Sequence, residues 1–229
     1  MARLLGHRAV PSALAIGAMI PDAWYLVPLL EREHSHELLG VLWFCLPAGL
    51  IAYAAFHLIF KQPMLALAPR SIAGRLGAWT PPRLPPVPWR WVVLSLLCGI
   101  ATHLAWDAPT HGGYLPLLDQ RVLGGVYLHQ ILQHASTLLG TAFLAWWLRR
   151  KLRATQPGVA AHALHDRIRF VVLAAMIAFP AIAFFGALQA FDGQTLRAAG
   201  VTALSAFGLV AVCFSLVWRR WLSENPLRG

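Results

Sequence analysis

Long apolar runs constrain the fold of this 229-residue chain more than any other feature. Five of them approach the ~20 residues that a helix needs to cross about 30 Å of hydrocarbon. They occupy residues 38–60, 89–106, 126–148, 170–191 and 196–218, and a weaker run at 10–30 is interrupted by prolines and by Asp22. The pattern predicts an all-α, polytopic membrane helical bundle with five to six transmembrane helices and a broken or re-entrant N-terminal segment.

The distribution of charge gives the expected orientation and partners. Charged residues make up only 12% of the chain, against about 25% in soluble domains. The net charge of +10 is concentrated near residues 61–90, 149–169 and the C-terminal tail. By the positive-inside rule these segments are cytoplasmic, which predicts a multi-pass protein of the bacterial inner membrane with a cytoplasmic C-terminus. The expected partners are therefore membrane lipids rather than nucleic acid.

Polar residues gather at one predicted end of the bundle. Residues 1–150 are expected to form a membrane bundle of four helical segments that holds a metal site, and residues 151–229 to add two packing helices in the same domain. Ionisable groups at membrane depth are costly and usually mark function. The candidates at the predicted outer end are Asp22, His36, His103, Asp107, His111 and His134.

The stretch HLAWDAPTHGG at 103–113 carries the clearest spacing. His103 and Asp107 are four residues apart and share a helical face, and imidazole and carboxylate are suitable ligands for a divalent metal. Pro109 is expected to end the helix, so that His111 turns back over this face. Two glycines, Gly112 and Gly113, allow a close backbone turn. The stretch predicts part of a site for one or two divalent ions, with zinc favoured.

The remaining candidate ligands are less well defined by spacing. On the predicted fourth segment, Gln133 and His134 are favoured as inward-facing residues, and His129 stays open. His7 is also a candidate, but a continuous helix would separate it from Asp22 by about 22 Å. It can join the site only if the chain breaks between them.

Other interpretations apply to several of these residues. Asp107 could be a helix-end carboxylate paired with Arg121. His57 is interpreted as a hydrogen-bonded core residue, and His34 is expected to be exposed. Without metal, the whole cluster would form a buried hydrogen-bond network or a proton relay.

Several of these elements resemble a bacterial family of uncharacterised inner-membrane proteins. The resemblance rests on His7, the Pro21-Asp22 pair, HSHE at 34–37, HLAWDAPTHGG and QHAS at 133–136, and it covers about residues 1–150. That family is similar in turn to membrane proteins regarded as metal-dependent hydrolases. The ligand order is also similar to that of the zinc-dependent phospholipase C family. Those enzymes end in HxxxE, whereas here His129 is followed by Gln133.

The resemblance implies a metal-dependent hydrolase that acts on an ester or phosphoester at the outer membrane face. Its substrate would be amphiphilic, such as a lipid or a lipid-linked molecule. Asp22 and Asp107 would then be the catalytic residues, as metal bridges or as a general base. The alternative is a non-catalytic protein, either a metal-binding membrane scaffold or a translocator of metal ions or protons.

Overall fold

The chain is almost entirely helical in the residues that the computed structural model describes, which are 8–26, 35–77, 84–156, 158, 164–190 and 196–224. The helices are α1 (Pro11–Met19), α2 (Leu38–Leu67), α3 (Arg70–Gly77), α4 (Trp89–Thr110), α5 (Leu128–Ala154), α6 (Asp166–Ala190) and α7 (Leu196–Glu224). One small ribbon pairs β1 (Arg121–Val122) antiparallel to β2 (Val126–Tyr127). The predicted all-α class is confirmed.

The predicted number of transmembrane helices was wrong. In the described part of the chain, four helical segments are long and apolar enough to cross a membrane. They are Leu38–Leu67, Trp89–Thr110, Asp166–Gln189 and Ala198–Trp221. These segments suggest a membrane-spanning protein, but they do not reach the five to six spans expected from the sequence.

Two predicted segments account for the difference. The segment at 126–148 begins in β2, and the first turns of α5 carry His129, Gln133 and His134, which lower its apolar character. In the described part of the segment at 10–30, a nine-residue α1 is followed by a 3-10 turn at Ile20–Leu26, and residues 27–30 lie outside the described residues. At 1.5 Å per residue, α1 is only about 14 Å long. The break falls at Pro21, which has no backbone N–H to continue the hydrogen bonds of α1.

The chain divides into two compact units. Unit 1 comprises Met1–Tyr53 and Pro86–Ala154, and unit 2 comprises Ala54–Pro85 and Thr155–Gly229. The apolar core of unit 1 includes Ile20, Val41, Cys45 and Ile100. That of unit 2 includes Ala66, Leu67, Leu164, Met176, Ala211 and Trp218. All the predicted polar candidates between Asp22 and His134 belong to unit 1.

Two glycines let α1 and α4 pack backbone against backbone. A Cβ atom on Gly17 would lie 2.3 Å from the Leu96 carbonyl oxygen, and one on Gly99 would lie 2.3 Å from the Leu14 carbonyl oxygen. A residue with a Cβ atom at either position would require the backbone to shift, so only glycine fits there. At the start of α1, the Val10 amide donates to Ser95 Oγ at 3.1 Å. This close contact holds the 3-10 turn that carries Asp22 beside the last turns of α4.

Candidate metal centre

The C-terminal end of α4 and the segments preceding α2 bring three side chains together in unit 1. Asp22 lies on the 3-10 turn after α1, His36 just before α2, and His103 two turns before the end of α4. One ligand atom from each lies within 4.8 Å of the other two. Asp22, His36 and His103 therefore form a cluster of the size that a single metal ion requires.

The orientation of His103 is set by the neighbouring helix. Its Nδ1 lies 2.9 Å from the Ala18 carbonyl oxygen. Because a carbonyl can only accept, Nδ1 carries the hydrogen. Nε2 then points towards two carboxylates, at 3.7 Å from Asp22 Oδ1 and 3.6 Å from Asp107 Oδ1. In the described part of the chain, this buried Nε2 has no hydrogen-bond partner, so it suits either a proton or a cation between it and the carboxylates.

His36 is held in a similar way. Its Nδ1 lies 2.8 Å from the hydroxyl of Ser35, and the Ser35 carbonyl accepts a contact from the Cys45 thiol at 3.2 Å. Its Nε2 faces Asp107 Oδ2 at 3.2 Å and Asp22 Oδ1 at 4.0 Å. When one ring nitrogen of a histidine is hydrogen-bonded to a neighbouring group, the imidazole is fixed so that its other nitrogen can bind a metal ion. Both histidines thus aim Nε2 at the same pair of carboxylates.

Asp107 contacts three histidines of the cluster. Besides His36 and His103, its carboxylate reaches His111, whose Nδ1 lies 3.4 Å from Oδ1. The Asp107 side chain is only 10% exposed, so its charge is compensated mainly by these imidazoles. Arg121, the alternative partner considered for Asp107, instead donates to the Tyr127 hydroxyl at 3.1 Å and stacks over that ring.

The spacing of these groups fits a divalent ion. Two nitrogen or oxygen ligands at about 2.1 Å from a shared ion lie about 3.0–3.5 Å apart. The four histidine–aspartate separations among Asp22, His36, His103 and Asp107 run from 3.2 to 4.0 Å. The ligand atoms of Asp22, His36 and His103 all lie within 4.8 Å of one another, and Asp107 contacts both histidines beside them. Two imidazoles and two carboxylates suit zinc, and they also suit other divalent transition metals.

The end of α4 places His111 close to the predicted position. The helix continues through Pro109 to Thr110, one residue beyond the proline that was expected to end it, and the His111 amide closes the last turn on the Asp107 carbonyl at 2.9 Å. His111 is the first residue after the helix, and its backbone is extended. Gly113 adopts φ +90, and a Cβ on Gly112 would lie 3.1 Å from the His129 ring. The positive φ favours glycine at 113, whereas a side chain at 112 would require the His129 ring to shift slightly.

The candidates on α5 separate in space. Gln133 reaches the cluster, with its amide nitrogen 3.4 Å from His111 Nε2. His134 is exposed on the same helix. His129 pairs with Asp119 at 3.1 Å and stacks on Tyr127. His7 and His34 lie outside the described residues.

A cleft of about 350 Å³ opens beside the cluster, between α4 and α5. Its lining includes the site residues His103, Asp107 and His111. The other lining residues are Ala18, Thr102, Trp106, Thr110, Gln133, Ser136 and Thr137. On a different side the Asp22 side chain is 51% exposed. The cluster is therefore buried at its histidines but accessible at a carboxylate and at a cleft.

Sequence reasoning missed the residues that orient the ligands. The Ala18 carbonyl has no signal in the sequence, because its role depends on the contact between α1 and α4. Ser35 could have been noticed as the neighbour of His36. Asp119 lies in the loop after α4, where only the fold brings it to His129.

Comparison with known proteins gives the family of the chain but no activity. The chain belongs to the family described as Domain of unknown function (DUF4184), whose model matches residues 3–221. None of the curated proteins and none of the solved structures gave a significant match. The family match extends beyond the predicted 1–150 region to nearly the whole chain. It carries no similarity to a hydrolase or to phospholipase C, so those parts of the resemblance stay predictions.

Proposed function

We propose that this protein is a metal-dependent membrane hydrolase, with one divalent ion, zinc by preference, held by Asp22, His36 and His103. The observation that carries the proposal is the convergence of these ligand atoms within 4.8 Å, beside a cleft. Asp107 completes the donor set from its contacts with both histidines. A second ion would use Asp107, His111 and the neighbouring Gln133.

The accessibility of the cluster favours an enzyme over a scaffold. Structural zinc sites are closed by protein ligands, whereas catalytic sites keep a position for water or substrate. Here Asp22 is half exposed, and the cleft reaches His103 and Asp107. These features support a site to which a substrate has access.

The residues of the cluster divide the work of ester hydrolysis between them. A bound divalent ion would polarise the scissile bond and make water more acidic. Hydrolysis adds water to the ester carbon or phosphorus, passes a proton to a base and releases the alcohol. Asp22 is the exposed carboxylate placed to accept that proton. Asp107, enclosed by imidazoles, orients them and balances their charge.

The position of the cluster along the helices supports an amphiphilic substrate. His36 immediately precedes α2, and Asp107 lies in the last turn of α4, so the cluster sits at the ends of two membrane-spanning segments. A lipid or lipid-linked ester or phosphoester could keep its chain in the bilayer while its polar group enters the cleft. With the basic loops cytoplasmic, this end faces outward from the bacterial inner membrane.

The experiment is metal analysis of detergent-purified protein prepared without chelator, followed by assays on carboxylic and phosphoric ester lipids. The variants are His103→Ala and Asp22→Asn, with His134→Ala as the control on an exposed histidine. We expect about one ion per wild-type chain, loss in the first two variants and retention in the control. A wild-type protein without metal would reject the proposal. Stoichiometric metal without hydrolysis of any ester would favour the non-catalytic scaffold.

A further inference from the structure

The cleft beside the cluster is lined by hydroxyl groups that each donate a hydrogen bond to a backbone carbonyl. On α4, Thr102 donates to the Gly99 carbonyl at 2.6 Å, and Thr110 donates to the Trp106 carbonyl at 2.7 Å. On α5, Ser136 and Thr137 both donate to the Gln133 carbonyl at 2.9 Å. A carbonyl oxygen cannot donate, so in each pair the hydroxyl must be the donor.

The consequence is that the hydroxyls lining the cleft can only accept hydrogen bonds from a ligand. A hydroxyl whose hydrogen is committed to the backbone offers only its oxygen lone pairs to a ligand. Among the described residues that line the cleft there is no lysine or arginine, and Asp107 adds further acceptor oxygens. An anionic group such as phosphate needs donors or cations around it, and the lining hydroxyls supply neither. The donors in the lining, Gln133 and the imidazoles of His103 and His111, belong to the candidate metal centre, where the ester or phosphoester group itself would lie.

The aromatic and apolar residues around the cleft further restrict the class of ligand that it can bind. Trp106 lines the cleft and is 59% exposed, so its ring is available to pack against the C–H face of a ligand. Leu138 and Leu139 follow Thr137 on α5 and are each 72% exposed. The site thus combines acceptor oxygens, one aromatic face and a nearby apolar surface.

We infer that the cleft between α4 and α5 binds the neutral polyhydroxyl head group, of the sugar or glycerol type, of an amphiphilic substrate. The hydroxyls of such a group donate to the oxygens of Thr102, Ser136 and Thr137, while its carbon skeleton packs on Trp106. The inference deepens the proposed hydrolase and rests on it for the reaction, but head-group binding itself requires no metal.

The experiment compares three head groups on one six-carbon chain: hexyl β-glucoside, hexyl phosphate and hexyltrimethylammonium. Binding to the full-length protein is measured by calorimetry in a polyoxyethylene ether detergent, which carries neither sugar nor charge. The protein is first treated with chelator, so that no metal ion attracts the phosphate probe. We expect the glucoside to bind about tenfold tighter than either charged probe, as two or three additional hydrogen bonds would produce. Equal or tighter binding of the phosphate or the ammonium probe, or no binding of the glucoside, overturns the inference.

A matched set of threonine variants tests the hydroxyls themselves. The double variant Thr102→Val/Thr137→Val should weaken glucoside binding about tenfold while leaving the phosphate probe unchanged. The control is Thr202→Val on α7, where the hydroxyl makes the same kind of backbone bond, to Ala198 at 2.8 Å, and does not line the cleft. Equal glucoside affinity in the double variant and the control overturns the inference. Should the double variant not fold, the head-group ranking of the wild type decides by itself.

Metal content, measured on the same preparations before chelator treatment, separates this inference from the proposed function. Glucoside preference in a protein without metal would reject the hydrolase and keep the head-group site. Stoichiometric metal without glucoside preference would keep the metal centre and reject the head-group site.

Discussion

Two histidines on the helices of this protein, one buried and one largely enclosed, have opposite surroundings. In unit 1, His103 faces the carboxylates of Asp22 and Asp107. In unit 2, His57 lies in a π-helical turn with its Nδ1 3.1 Å from the ammonium of Lys61. Both are enclosed aromatic rings on apolar helices, yet only His103 has neighbours that attract a cation. Burial of a histidine does not predict a metal site; the charge of the groups around it does.

The two units differ in the same way over longer segments. The helices of unit 1 end in ionisable side chains that meet, whereas α6 and α7 of unit 2 pack through apolar residues such as Met176 and Ala211. Exposed apolar residues cover the remaining faces of α6 and α7, including Ile177 and Leu209. The ionisable groups that meet are thus in unit 1, whereas α6 and α7 of unit 2 contact each other and their surroundings mainly through apolar side chains. The following predictions test this contrast.

The largest effect is expected from removing a ligand. His36→Gln should lower the affinity for a divalent metal by more than about 100-fold, since even the loss of a residue that only orients a metal ligand lowers metal affinity 10–100-fold. His57→Gln should leave the affinity unchanged, because Lys61 repels a cation. Metal titration of both variants measures the difference, and equal losses in the two would show that the contrast between the histidines has no functional meaning.

A stability difference is expected between two helix glycines. Gly99→Ala should destabilise the protein by about 1–3 kcal/mol, because the new Cβ would meet backbone atoms of α1. Gly208→Ala on α7 meets nothing within 4 Å and should be neutral or slightly stabilising. Thermal unfolding in detergent measures both. A neutral Gly99→Ala would contradict the close packing of α1 on α4, which also carries the Ala18 carbonyl to His103.

A carboxylate at position 133 should strengthen the second half of the cluster. Gln133→Glu puts a negative charge near His111 Nε2, where the amide nitrogen now lies at 3.4 Å. We expect binding of a second ion to improve about tenfold, or ~1.4 kcal/mol. Leu132→Glu, one residue earlier on an exposed position of α5, is the matched control. An improvement of the same size in both variants would point to general electrostatics rather than to ligation.

The smallest effect is expected from two buried serines. Ser35→Ala removes the hydroxyl that lies against His36 Nδ1 and should weaken metal binding by up to about tenfold. Ser215→Ala in unit 2 removes a buried hydroxyl that has no hydrogen-bond partner in the described part of the chain. It should leave metal binding unchanged and stability equal or slightly higher. Metal titration and thermal unfolding are run on both variants. Weaker metal binding in Ser215→Ala than in Ser35→Ala would contradict the prediction.

The amino-acid sequence by itself determined the helical class, the membrane character and most of the polar cluster. Apolar runs of sufficient length can only be helices in a bilayer. The spacing of His103 and Asp107 placed them on one face, and the turn at Gly112 and Gly113 followed from glycine geometry. Local rules were sufficient there because the interacting residues are close in sequence.

Only the tertiary structure decided which distant residues meet. The sequence favoured both Gln133 and His134 as inward-facing residues and left His129 open, but the packing of α5 brings Gln133 to His111 and leaves His134 exposed. The Ala18 carbonyl orients His103 because Gly17 and Gly99 let two backbones touch. The number of spans also depended on where helices begin and break, which one-dimensional hydropathy does not resolve. Ligand geometry is set by contacts between segments that are far apart in the chain, and these contacts exist only once the helices have packed.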